Sequence, residues 1–80
     1  MRLPRDLSGE ELANRLRALG YEVTRQTGSH LRLTTQVEGQ HHVTVPRHSP
    51  LRIGTLSAIL TDIARHLGRS RDEIIQTLMK

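Results

Sequence analysis

Cysteine is missing from the 80-residue chain, so neither a disulfide framework nor a thiolate metal site can stabilise it. Phenylalanine and tryptophan are missing too, and Tyr21 is the one aromatic residue. Proteins that hold single strands by stacking bases on aromatic platforms need several such side chains. That mode is largely closed here, and any nucleic-acid contact must be mostly electrostatic and directed at the backbone. No run approaches the roughly 20 apolar residues that a membrane helix needs. The opening Met1-Arg2-Leu3-Pro4-Arg5-Asp6 has no apolar stretch after its basic residues, unlike a signal peptide. The expectation is a soluble cytoplasmic protein. A chain this short is one domain, residues 1–80. A core of this size contributes about 3–5 kcal/mol of net stability, so a stable dimer or a protein partner would be a natural supplement.

Lysine is nearly absent as well. Twelve basic residues face eight acidic ones for a net charge of +4, and Lys80 is the one lysine among them. Arginine's planar fork suits phosphate and carboxylate alike. The balance points to an anionic partner, nucleic acid or an acidic protein. A soluble surface that merely favours arginine is the plainer alternative.

The order of elements can be read from local pattern. Ser8-Gly9-Glu10-Glu11 is a capping box, and Leu12, Leu16 and Leu19 recur at helical spacing before Gly20. A first helix is predicted over 8–19. Residues 21–27 alternate and are rich in β-formers. Gly28-Ser29 forms a turn, 30–37 alternate again, Glu38-Gly39-Gln40 forms a second turn, and 41–46 make a third strand ended by Pro46. Strands joined by such short loops form an antiparallel meander. Leu56, Ile59, Leu60, Ile63 and Leu67 mark a helix over 54–67, opened by Gly54 or Thr55 and closed by Gly68. A second capping box, Ser70-Arg71-Asp72-Glu73, starts a short last helix over 70–79 carrying Ile74, Ile75 and Leu78. The class is α+β, an α-β-β-β-α domain with an additional C-terminal helix and the helices on one face of a three-stranded sheet.

Alternation also assigns faces. Leu31, Leu33, Thr35 and Val37 share one face of the second strand, with Val43 and Val45 from the third and Tyr21 and Val23 from the first. His30, Arg32 and Thr34 point the other way, with His42 and Thr44. A solvated face that happens to hold histidines is one reading. The other is chemical. Histidine takes or gives a proton near neutral pH, and RNA strand scission needs little more. A base removes the proton of the 2′-hydroxyl, which attacks the adjacent phosphorus, and an acid protonates the leaving 5′-oxygen. DNA lacks the attacking hydroxyl. No metal or cofactor is expected. His41 and His42 are adjacent on a strand and point to opposite faces, no H-E-x-x-H pair occurs, and neither G-x-S-x-G nor a Gly-rich phosphate loop appears. Arg25, Arg32 and Arg47 are candidate phosphate ligands on one reading and solvated surface charges on the other.

Gly28-Ser29-His30 is followed by Val43-Thr44-Val45-Pro46-Arg47-His48, then by Leu51-Arg52-Ile53-Gly54-Thr55-Leu56 and Ile59-Leu60. From about Leu7 to Ala64 this succession closely resembles the HicA family of bacterial toxins, which are mRNA interferases. The resemblance implies a fold like a double-stranded RNA-binding domain, and a single catalytic histidine matching His30, presented by the turn at Gly28 and Ser29. It also implies a cognate HicB-type antitoxin that covers the active site. The chain departs from the family where Leu31-Arg32-Leu33 stands in place of the aromatic residue that often follows the triplet. His48 also matches, and reads either as a loop residue packing against the next helix or as a phosphate contact. The candidate RNA contacts are thus Arg25, Arg32, His42, Arg47 and His48. Water, a ribosome-bound context or another side chain such as His42 would complete the proton transfer. The rivals to an endoribonuclease toxin are a non-catalytic RNA-binding module and a domain that binds only a protein partner.

Overall fold

A computed structural model describes residues 3–79. The order is α1 (Gly9–Arg15), a 3₁₀ turn (Leu16–Leu19), β1 (Glu22–Gln26), β2 (His30–Thr35), β3 (His41–Pro46), α2 (Ile53–Leu67) and α3 (Arg71–Leu78). The three strands form one antiparallel sheet in the order β1-β2-β3. This is the α+β arrangement that the periodicities predict.

Both capping boxes are formed. Ser8 Oγ accepts from the Glu11 amide at 3.0 Å while the Ser8 amide donates to the Glu11 carboxylate, and Ser70 and Glu73 repeat the exchange at the start of α3. The serine amide and then the serine hydroxyl hold each glutamate below its ordinary carboxylate range. The cap contribution is therefore present above the ordinary value of 4.5 and lost as pH falls below it. The second helix differs from expectation. It opens one residue earlier, at Ile53, with Arg52 at the N-cap and no side-chain cap. Extended backbone at Arg52 ends the loop there, and neither Gly54 nor Thr55 serves as the opening residue.

The core lies between the sheet and the helices. Leu12, Leu16, Leu33, Val45, Leu56, Leu60, Ile63 and Ile74 are fully buried in it. The last helix, which lies beyond the stretch that carries the resemblance, buries Ile74, Ile75 and Leu78 in the same cluster, and Arg15 Nη1 on α1 donates to its C-terminal Leu78 carbonyl at 2.8 Å. It completes the core rather than standing off it.

Tyr21 precedes β1, is fully buried, and its hydroxyl meets His41 Nδ1 at 2.8 Å. Burial, and then the negative charge of Asp62, raise its pKa from 10.0 to about 12. A group whose folded pKa is raised contributes stability that is complete below the unfolded value and is lost as pH rises through the folded one. Stability is accordingly expected to fall between pH 10 and about 12 by roughly 2–3 kcal/mol. Thermal melts across that window check this, and Tyr21→Phe should flatten the dependence.

Two apolar residues depart from their expected burial. Val23 lies on the helix side of the sheet, opposite Leu33, yet stays 47% exposed because it lines an open cleft that also takes in Ala13, Asn14 and Arg17. Val37 is 48% exposed because β2 ends at Thr35, and buried Thr35 Oγ1 accepts the Val37 amide at 3.1 Å to start the turn.

Candidate active site

The turn between β1 and β2 presents His30. Thr27 and His30 close it, with the Thr27 amide donating to the His30 carbonyl at 2.9 Å and the His30 amide donating to Thr27 Oγ1 at 3.1 Å. His30 opens β2 opposite Pro46, and its side chain is exposed. Its Nδ1 lies 2.9 Å from Ser29 Oγ. A hydroxyl can donate to Nδ1 or accept from it. Ser29 thus supports either neutral tautomer and the imidazolium, leaving Nε2 toward solvent. Gly28 beside it has open space where a Cβ would stand, so packing does not demand glycine there.

Arg32 follows His30 two residues along the same face, and its Cα partner across the ladder is Arg25. Strict alternation from Tyr21 and Val23 would turn Arg25 toward the helices. A register shift between Val23 and Arg25 prevents this. The bulged Thr24 bonds Thr34 Oγ1 at 2.8 Å on the open face, and Arg25 emerges beside it. Like charges directly opposite on a sheet repel, and an anion laid between the two guanidinium groups would relieve that repulsion.

His42 faces Thr34 and is tied to it, Nδ1 to Oγ1, at 2.7 Å. A hydrogen-bonded row Thr24–Thr34–His42 therefore crosses all three strands. In register, His42 lies four residues along from Pro46, the partner of His30. At about 3.3 Å per residue the two histidines stand roughly 13 Å apart. His42 is thus displaced along the sheet from His30 and is held there by Thr34.

Two other sequence candidates sit differently. Arg47 Nη2 and Nε donate to Glu10 Oε1 at 2.6 and 3.1 Å. His48 is exposed at the edge of a small cleft of about 250 Å³ with Ser8, Glu10, Arg47 and Ser49, and its carbonyl accepts the Gly9 amide at 2.9 Å.

His41 points to the helix side, opposite to His42. Its Nε2 meets Asp62 at 3.2 Å, and its ring stacks on His66 at 4.3 Å between centroids. The His66 Nε2–H donates to the Val37 and Gly39 carbonyls at 2.9 and 3.0 Å. This cluster pins the β2–β3 turn to α2. Sequence reading missed it because its members are 21 and 25 positions apart. Among the described residues no group of three or more histidines, cysteines or carboxylates is placed to hold a metal ion, and no helix is long and apolar enough to cross a membrane.

No curated protein and no solved structure matches the chain. A family model does match, described as the HicA toxin of bacterial toxin-antitoxin systems, over residues 9–64. The match takes in α1, the whole sheet, the His30 turn and most of α2. With more than half of its length aligned to that model, and with helix, meander and helix in the order that the resemblance implies, the chain belongs to the HicA toxin family.

Proposed function

We propose that this toxin is an endoribonuclease that cuts mRNA, with His30 moving a proton at Nε2. One observation carries the reading. On an open sheet face, an exposed imidazole held at Nδ1 stands beside a cross-strand pair of arginines. Arg25 and Arg32 take phosphates, and His42 contacts a neighbouring nucleotide. His30 Nε2 exchanges a proton with the reacting 2′-hydroxyl or the leaving 5′-oxygen, and Ser29 Oγ accepts from Nδ1–H while the ring is charged. Water or a group outside this face completes the transfer. Attack by the 2′-hydroxyl forms a new O–P bond, breaks the bond to the 5′-oxygen, and leaves a 2′,3′-cyclic phosphate. The partner is a HicB-type antitoxin that covers the same face. Open space at Gly28 lets substrate backbone approach the turn closely.

The test uses purified protein and a long RNA. Cleavage with a cyclic-phosphate end is expected, unchanged by a chelator and blocked when 2′-deoxyribose stands at the cut site. Cleavage that vanishes with the chelator would overturn the mechanism. Binding without scission would favour the RNA-binding module instead.

The antitoxin gives an independent check. Net charge of +4 should steer an acidic partner, so the association rate measured by stopped flow should fall as salt rises. A rate indifferent to salt would remove charge steering from the account.

A further inference from the structure

Arg47 reads as a phosphate ligand in the sequence, but its contacts lead elsewhere. Its fork is already engaged, because Nε and Nη2 both donate to Glu10 Oε1. Its Nη1 reaches the Thr27 carbonyl at 3.5 Å, and its backbone amide donates to the Ser29 carbonyl at 2.9 Å. One residue therefore grips the catalytic turn on both sides of Gly28. The grip is anchored beyond the sheet, since Glu10 lies in the first turn of α1 and the Gly9 amide before it holds the His48 carbonyl. Thr27 in turn bonds both backbone polar groups of His30. The path from α1 to the imidazole is thus continuous: Glu10, Arg47, Thr27 and Ser29, His30.

We infer that Arg47 is a positioning residue for His30, and that the Glu10–Arg47 ion pair fixes the turn against the N-terminus of α1. This rests on the reading of His30 as the proton-transfer group. A partly exposed ion pair contributes little to stability. A proton-transfer group displaced by about 1 Å, in contrast, loses rate on the order of 10²-fold. The pair should therefore act on kcat, and a phosphate ligand should act on binding and its salt dependence.

The experiment compares Glu10→Ala, Arg47→Gln and the double variant with wild type. Each single variant is expected to lower kcat by roughly 10- to 100-fold with KM unchanged. The double variant should fall no further than either single, because both break one link. RNA affinity, measured in a His30→Ala background at several salt concentrations, should keep its salt slope. Nuclear magnetic resonance of the full chain should show the His30 ring resonances displaced in both single variants, with the melting temperature nearly unchanged. Arg47→Lys keeps a charge for Glu10 but not the fork, and should recover part of the lost kcat.

A salt slope lowered by about 0.7 in Arg47→Gln, with Glu10→Ala leaving kcat intact, would make Arg47 a phosphate ligand and overturn the inference. So would unchanged His30 resonances in both single variants, and that readout holds even if the wild type cuts no RNA. Absent wild-type cleavage, or full activity in His30→Ala, would instead defeat the parent reading.

Discussion

His30→Ala is expected to lower RNA cleavage by a factor of about 10²–10⁴, the usual worth of a positioned proton-transfer group. The side chain is exposed, and among the described residues its one side-chain hydrogen bond is to the exposed neighbouring Ser29. The bonds that shape the turn run from the His30 amide and carbonyl, which alanine keeps. Stability should therefore stay within about 0.5 kcal/mol of wild type. The variant should fold, bind RNA, bind the antitoxin and be harmless to the cell. His48→Ala should keep most activity, because the contact that His48 makes with α1 is through its carbonyl. Rates on a long RNA, with melting curves for each protein, decide the matter. Equal cleavage by wild type and His30→Ala would remove His30 from the mechanism.

Gly9→Ala should lower stability substantially. A Cβ at Gly9 would stand 1.8 Å from the Pro46 carbonyl oxygen, 2.9 Å from its carbon and 3.2 Å from the Arg47 Cα. These are backbone atoms, which cannot rotate aside. The Gly9 amide is also bonded to the His48 carbonyl at 2.9 Å, so moving α1 away breaks that contact. Overpacking typically costs about 1–3 kcal/mol and occasionally more. The upper end of that range is expected here, since both sides of the contact are main chain. Each kcal/mol lowers the melting temperature of a domain this size by roughly 4–8 °C. A loss of about 12 °C or more is therefore expected in thermal melts. Gly28→Ala is the control, with open space at its Cβ, and should melt close to wild type. Equal melting of Gly9→Ala and Gly28→Ala would show that the contact at Pro46 yields without cost.

The placing of His30 belongs to what the sequence determined by itself. Ser8–Glu11 and Ser70–Glu73 announce helix starts because a capping box is completed within four residues. Leu31, Leu33, Val43 and Val45 announce a one-sided sheet because strand geometry alternates by residue. The same alternation puts His30 on the open face, and the GSH triplet is legible as a turn because it bridges two alternating runs. All of this is local chemistry, so it survives without knowledge of the partners.

Tertiary structure decided the rest. Arg25 reaches the open face because a bulge at Thr24 resets the strand, and a bulge is fixed by how two strands pair rather than by the residues of one. Val23 is exposed because an open cleft lies between β1 and α1, an outcome of packing that apolar character cannot reveal. The His41–His66 stack, the hold of Arg47 on the His30 turn and the approach of Gly9 to Pro46 join residues separated by 25, 18 to 20 and 37 positions. Periodicity carries no signal over such separations, because each contact depends on where the chain returns after the sheet has formed.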